Sequence, residues 1–319
     1  MQREELRGLL KGIIVATPTP FDRDFELDLG RMAELTQWWV KNGLVEGRAC
    51  IKVASMMGEG VQLREDEWAA LVNTTVQAAK GAVPVMAGIQ DKDTRRTIED
   101  AKRAQDLGVI GLQVSPPRHN DPTQDDILRY FEAVSDAIEI GIMVYHLPWM
   151  DHYIETDTFL RMADFKHVMA IKWSNHGGVP YEEMLRLTAD FNILDNSLKP
   201  VLCMKLGGHG FLDYGAPAYP EYELRILDLI EGGRYDEAQE MWDRQVIPVE
   251  EFYRRTSKRS GGQARTKKGV MEVMGQPVGS MRPPSQPLND EELDELGEIL
   301  RSVDWPVKRP AAKAVDADG

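Results

Sequence analysis

Gly12-Ile13-Ile14-Val15-Ala16-Thr17-Pro18-Thr19-Pro20-Phe21 is the stretch that decides the fold. Its first half is a short apolar run rich in β-branched residues. Such runs recur along the chain, separated by longer stretches with apolar residues at helical spacing. That alternation is the signature of successive βα units and a parallel sheet. Its second half argues against the main rival, because a doubly wound open sheet normally carries a glycine-rich phosphate loop after its first strand. Thr17-Pro18-Thr19-Pro20-Phe21 is the opposite chemistry.

Outward from this stretch, strand-like runs follow at Ala49 to Ala54, Pro84 to Ile89, Gly111 to Ser115, Gly141 to Pro148, Val168 to Ser174, Phe191 to Asn196 and Gly210 to Tyr214. Between them, Leu29 to Asn42, Glu65 to Ala79, Thr94 to Leu107, Asp125 to Ile138 and Tyr181 to Ala189 read as amphipathic helices. Eight strands with intervening helices predict an α/β chain closed into a (β/α)8 TIM barrel. Beyond Leu229, Tyr235 to Arg255, Ala264 to Met274 and Asp290 to Leu300 form a C-terminal helical appendage, with Asn289 as N-cap of the last helix. The expected division is an N-terminal extension over 1–11, the barrel over 12–230, the helical region over 231–305 and a flexible tail over 306–319, which has little to bury.

The chain has 319 residues, 42% of them hydrophobic, enough for a large core. A net charge of −14 argues against a general nucleic-acid or anionic-membrane surface, so the expected partner is a small molecule. The one basic cluster, from Arg254-Arg255 through Lys258-Arg259 to Lys267-Lys268, reads as a solvated helix end with its loop. Cys50 and Cys203 cannot build a disulfide framework and suit a reducing compartment. Met1 to Lys11 is charged, and no apolar run reaches the length of a membrane span. The expected location is the cytoplasm.

Lys172 lies in Val168-Met169-Ala170-Ile171-Lys172-Trp173-Ser174. Desolvation disfavours an ammonium, so a lysine on such a strand offers a nucleophilic amine near neutral pH; the plainer reading is a salt-bridged lysine at a strand end. In a barrel of this class the reactive groups lie at the C-terminal ends of the strands. Those ends carry Thr19, Met56-Met57-Gly58-Glu59, Ser115 to His119, Tyr145-His146, Lys172-Trp173, Asp195-Asn196 and Tyr214. Tyr145 and Lys172 end neighbouring strands, where a phenol and an amine converge on one bound molecule and suit Schiff-base chemistry.

At these residues the chain resembles the dihydrodipicolinate synthase and N-acetylneuraminate lyase group of class I aldolases. The likeness runs from about Gly12 to about Trp305. It is carried by Thr19-Pro20-Phe21, Gly58-Glu59 with Leu63 and Asp66-Glu67, Tyr145 and Pro148, Ile171-Lys172, and Leu206-Gly207-Gly208-His209-Gly210. The resemblance implies that Lys172 is the Schiff-base lysine, Tyr145 the proton-shuttling tyrosine, and Met56-Met57-Gly58 the loop whose backbone amides receive the substrate carboxylate. It also implies a homo-oligomer, a dimer or tetramer, and iminium catalysis needs neither metal nor other cofactor.

The departures are informative. Met56-Met57 replaces a threonine pair, Ser115-Pro116-Pro117-Arg118-His119-Asn120 replaces the synthase's second tyrosine, and Trp149-Met150-Asp151 replaces its arginine. They point away from lysine biosynthesis toward another 2-oxo acid. The alternatives are a dehydratase or hydratase-aldolase on a longer or aromatic 2-oxo acid, and a catalytically silent ligand-binding homologue.

For individual residues, functional and plain readings stand side by side. Lys52, in Cys50-Ile51-Lys52-Val53-Ala54, is the rival amine, read as a deeper barrel-interior ion pair. Met56 and Met57 fill core gaps or line a pocket. Arg118 clamps a second carboxylate or is solvated. Asn196, His119 and Trp149 are further candidates to shape substrate specificity. Trp173 points away from the site if the strand alternates. The histidines show no metal-ligand spacing. Gly207-Gly208-His209-Gly210 ends a helix and starts a strand.

Overall fold

A computed structural model describes residues 2–90, 92–117, 121–146, 153–174 and 178–310 of the chain. Eight parallel strands, each hydrogen-bonded to its neighbours in sequence order and the last to the first, close a barrel. They are β1 (Gly12–Ala16), β2 (Ala49–Val53), β3 (Val85–Ile89), β4 (Gly111–Val114), β5 (Gly141–Tyr145), β6 (Val168–Trp173), β7 (Asn192–Asp195) and β8 (Gly210–Leu212). The chain is thus the TIM barrel with C-terminal helices that its strand count predicts.

Helix α1 (Arg3–Leu9) precedes β1. Helices α2 (Leu29–Lys41), α3 (Glu65–Ala79), α4 (Thr94–Asp106), α5 (Gln124–Asp136), α6 (Thr156–Arg161), α7 (Pro200–Lys205) and α8 (Pro220–Glu231) surround the barrel, and α9 (Tyr235–Thr256), α10 (Gln263–Val273) and α11 (Asp290–Ser302) follow it. One crossover departs from the expectation: Tyr181–Arg186 is a 3-10 helix. Tyr181 and Met184 are its buried residues and Leu187, its C-cap, is buried too; a three-residue apolar period suits 3.0 residues per turn better than 3.6.

Several boundaries have visible local causes. The Asn289 side chain accepts from the Glu292 amide at 2.8 Å and caps α11. Strand β2 stops at Val53 because Ala54 has φ 54°, outside the extended region. Leu206 caps α7, Gly207 takes φ 86°, and Gly210 opens β8, as the glycine run suggests.

The N-terminal segment does more than extend the barrel. Leu6 and Leu10 are fully buried with Ile14, Cys50, Met86, Met143, Ala170 and Leu194 in the core inside the barrel. Asn192 Nδ2 donates to the carbonyls of Arg7 at 2.7 Å and Leu10 at 2.8 Å. Helix α1 therefore plugs the N-terminal face. At the opposite terminus, Lys308 and Arg309 donate backbone hydrogen bonds to the Val273 carbonyl, and Arg309 pairs with Asp294 at 2.6 Å, so the start of the expected tail is tied to α10 and α11.

Closure depends on the β8–β1 seam, where Gly210 pairs with Gly12. A Cβ at Gly210 would stand 2.0 Å from the Gly12 carbonyl oxygen, which belongs to backbone and cannot swing aside. Gly210→Ala is expected to cost about 3 kcal/mol or more, read as a lowered urea midpoint or as loss of soluble protein.

Candidate active site

Every described residue of β1–β7 is buried, so the two-residue alternation of a strand sorts side chains between the barrel interior and the helical layer. Cys50, Met143 and Ala170 belong to the interior core. Two residues on along the same strands stand Lys52, Tyr145 and Lys172, which therefore occupy the next interior layer toward the C-terminal face. With Gln113 they line one cavity of about 680 Å³ at that face. Trp173, of opposite parity, is buried outward and stacks on His146 with ring centroids 5.8 Å apart, as the alternation predicts.

Tyr145 and Lys172 are direct partners in the β5–β6 register. The Lys172 Nζ lies 3.8 Å from the centroid of the Tyr145 ring, over its face. Lys172 is 7% exposed. Burial pushes its pKa well below 10.5, and the positive charges of Lys52 and Lys267 push it further down, against the opposing pull of Asp213. Burial and charge thus favour the neutral amine, which keeps an opening to the cavity.

Lys267 is the largest correction to the sequence reading. The basic cluster was expected to be solvated, but Arg265, Lys267 and Lys268 on α10 are all buried. The Lys267 ammonium donates to Asp213 Oδ2 at 2.6 Å and to the Ala16 carbonyl at 3.0 Å, while Asp213 Oδ1 accepts from the Ala16 amide at 2.6 Å. Lys268 pairs with Glu59 at 2.6 Å and donates to the Ser280 carbonyl at 2.7 Å. Helix α10 is apolar enough to dock, and its two long lysines reach inward to carboxylates; no sequence pattern shows where those carboxylates are.

Lys52 also departs from expectation. Its Nζ donates to Gln113 Oε1 at 2.7 Å rather than to a carboxylate, so it is not an ion pair with its nearest partner, and it lines the same cavity as Lys172 instead of lying below it. Burial is the main cause that brings its pKa to about 7.

The loop after β2 makes a 3-10 turn over Met56–Gly58. The Gly58 and Gly60 amides donate to the Ser55 carbonyl and the Glu59 amide to the Met56 carbonyl, so these three amides are already used within the turn. Gly58 thus has its amide committed, while among the described residues the amides of Met56 and Met57 have no backbone acceptor. Met56 and Met57 both line the cavity, which favours the pocket reading over core filling. Thr19 does not line it; its Oγ1 donates to the Gly58 carbonyl at 2.5 Å and positions the turn. Asn196 does line it, with Nδ2 donating to Ser174 Oγ at 2.7 Å. Arg118, His119 and Trp149 lie outside the described residues. Sequence reasoning missed Gln113, Ser55, Asp213 and Lys267 as cavity residues. Only strand parity signals the first, since Gln113 is a polar residue inside an otherwise apolar β4.

A closed (β/α)8 barrel with a desolvated lysine beside a tyrosine at adjoining strand ends is the architecture of class I lyases and aldolases, enzymes that work through a lysine iminium. The chain belongs to the dihydrodipicolinate synthetase family, whose profile matches residues 9–303. It is 29% identical over 288 residues to 4-hydroxy-tetrahydrodipicolinate synthase 1 of Halalkalibacterium halodurans, covering 89% of this chain and 94% of that protein. It is 30% identical over 295 residues to 4-hydroxy-tetrahydrodipicolinate synthase of Heliobacterium modesticaldum, covering 91% and 94%. The fold matches that of an Escherichia coli K12 prophage protein of the same family, solved in complex with pyruvate, with a TM-score of 0.82, 22% identity and coverage of 93% and 99%. It matches equally the dihydrodipicolinate synthase of Acinetobacter baumannii complexed with pyruvate, with a TM-score of 0.81, 22% identity and coverage of 92% and 99%.

The Asp213 and Lys267 side chains are 0% and 4% exposed. Lys267→Met leaves a buried carboxylate without its counter-ion and is expected to cost about 3–5 kcal/mol in urea unfolding. Adding Asp213→Asn to that variant removes the stranded charge while keeping an acceptor for the Ala16 amide, and most of the lost stability is expected to return.

Proposed function

We propose that this enzyme acts on pyruvate or another 2-oxo acid through an iminium at Lys172, assisted by Tyr145, making or breaking a carbon–carbon bond. The observation that carries this reading is the Lys172 amine, desolvated and held over the Tyr145 ring at the open end of the barrel. The neutral amine adds to C2 of the acid, and the carbinolamine loses water to give the iminium. The iminium draws electrons from the bond between C3 and C4. With a hydroxyl on C4 that gives up its proton, that bond breaks, the C4 fragment leaves as an aldehyde, and the enamine left behind takes a proton at C3 before hydrolysis releases the product. In the condensing direction the same steps run in reverse. The Tyr145 hydroxyl is the group assigned to moving protons in these steps.

The substrate proposed is not that of the lysine-biosynthetic synthase. Met56 and Met57 bring thioethers where the family's threonine pair brings hydroxyls, and the stretches at 115–120 and 149–151 lack the tyrosine and arginine of that reaction. A cavity of about 680 Å³ also accommodates more than a three-carbon acid. It fits a dehydratase or hydratase-aldolase acting on a longer 2-oxo acid equally well, and product analysis separates the two. No helix among the described residues is long and apolar enough to cross a membrane. A homo-oligomer is what the family resemblance supports, and light scattering reads its mass; the two cysteines and the charged segment Met1 to Lys11 support a cytoplasmic location.

Borohydride reduction in the presence of pyruvate, followed by peptide mass spectrometry, is expected to place the adduct on Lys172 and to find none in Lys172→Ala. An adduct retained in that variant and lost in Lys52→Ala would reassign the nucleophile. Tyr145→Phe is expected to keep the adduct while slowing turnover by about 10²–10⁴-fold.

Adduct formation should also report the electrostatics of the amine. Only the neutral amine reacts, so the acid limb of the trapping profile follows the Lys172 pKa, which lies well below 10.5. Lys267→Met removes a cation, raises that pKa and should move the limb to higher pH. Asp213→Asn removes the anion that raises it and should move the limb to lower pH. Shifts of the same sign in both variants would exclude charge as the cause.

A further inference from the structure

The floor of the cavity is a single layer of side chains. A barrel of this class staggers its strands by about one residue each, so a level layer is drawn from alternate strands. Followed with that stagger through the strand pairings, the register leads from Lys52 on β2 to Gln113 on β4, Lys172 on β6 and Leu212 on β8, and returns to Lys52. All of these residues line the cavity, and Lys52 Nζ donates to Gln113 Oε1 at 2.7 Å within the layer. The two amines thus face each other across the barrel, with Gln113 between them. By the same register the layer above takes Ala16 from β1 and Gly88 from β3, the strands that flank β2. A methyl and a hydrogen fill little of the space over Lys52. Ser55 closes in there instead: a Cβ on Gly88 would stand 2.8 Å from the Ser55 Cα.

Among the described residues no carboxylate pairs with Lys52. It is 1% exposed, and Asp213, the carboxylate whose charge reaches it, is engaged by Lys267. Of the other carboxylates that line the cavity, Asp195 accepts from Tyr181 at 2.8 Å, Glu59 pairs with Lys268 and Glu250 accepts from Tyr214 at 3.0 Å. Gln113 Nε2 and Ser55 Oγ are buried and have no hydrogen-bond partner among the described residues, although buried polar atoms are nearly always paired. An ammonium, an amide N–H and a hydroxyl therefore border the space between Lys172 and the turn after β2. In that turn Met56 and Met57 stand where the family's threonine pair brings hydroxyls, and the Gly58 amide already donates to the Ser55 carbonyl.

We propose that Lys52 is the residue that reads the substrate's C1 carboxylate: with Gln113 Nε2 and Ser55 Oγ it grips that group from the floor of the barrel, a side-chain cation in place of the missing turn hydroxyls. This rests on the reading of Lys172 as the iminium lysine. C1 is one bond from the carbon that Lys172 holds, and the Lys52 charge reaches the Lys172 amine, so a carboxylate at C1 lies in the field of the same charge. Lys52 then acts twice on one bound molecule. It orients the acid by its C1 end, and its charge helps to keep the Lys172 pKa low. A neutral ester at C1 offers that cation nothing to hold.

Two measurements decide it. Borohydride trapping compares pyruvate with methyl pyruvate, the same ketone without a charge at C1. Loss of Lys52 also raises the Lys172 pKa, but that change acts on both ketones alike, so the ratio of their half-saturation concentrations isolates the carboxylate. Lys52→Met is expected to shift the ratio against pyruvate by at least about tenfold, the size expected of a hydrogen bond to a charged group. Gln113→Leu and Ser55→Ala are expected to shift it the same way by less. An unchanged ratio in Lys52→Met, or in both other variants if that one does not fold, overturns the assignment, as does a wild-type adduct on Lys52. Calorimetry of pyruvate binding to Lys172→Ala, with and without Lys52→Met, tests the grip without the iminium. Binding weakened by about tenfold or more supports it, and equal binding overturns it. If neither ketone gives an adduct while that loss of binding is seen, the iminium reading fails and the Lys52 assignment stands.

Discussion

Three lysine amines share the C-terminal end of this barrel with one carboxylate whose charge reaches Lys172. Burial would make each ammonium costly by itself, and the fold resolves the conflict differently for each. Lys267 receives Asp213 and is held as an ion pair across the β8–β1 seam. Lys52 receives only the Gln113 amide and falls to a pKa of about 7. Lys172 lies on an aromatic face and is pushed well below its ordinary value. The neutral amine is favoured as a result, and it is what carbonyl addition requires.

That arrangement ties catalysis to the C-terminal helices. Helix α10 supplies Lys267 to the seam and Lys268 to Glu59, next to the Met56–Gly58 turn. The helices after the barrel thus set both the field at Lys172 and the rim of the cavity. A perturbation of α10 acts on the amine through charge without touching a reacting atom. The cavity is correspondingly divided: β5 and β6 bring Tyr145 and Lys172 to it, while β2, β4 and the turn after β2 bring Lys52, Gln113, Met56 and Met57.

Much of the fold was legible because it rests on local patterns. The alternation that starts at Gly12 gave eight strands and their order, and Asn289 marked a helix start through chemistry confined to one turn. The helix expected at Tyr181 became a 3-10 helix because its buried residues follow a period of three, a difference that a short window blurs. The meeting of Lys172 and Tyr145 in one cavity was legible from their strand-end positions. Lys267 was not. Beside Lys268 and after Arg254-Arg255 and Lys258-Arg259 it reads as part of a solvated run, and nothing near it in sequence signals Asp213, 54 residues away.

The sequence by itself determined the barrel, the family and the placing of a lysine and a tyrosine at neighbouring strand ends, since strand periodicity, turn residues and motif spacing are encoded locally. Only the tertiary structure decided which charges surround that amine. Burial and Coulombic interactions act through space, between residues as distant in sequence as Ala16 and Lys267, and a closed barrel turns that separation into contact. Gln113 Nε2 and Ser55 Oγ, buried and without a hydrogen-bond partner among the described residues, belong to the same class of fact, because such a group is defined by what the fold places beside it.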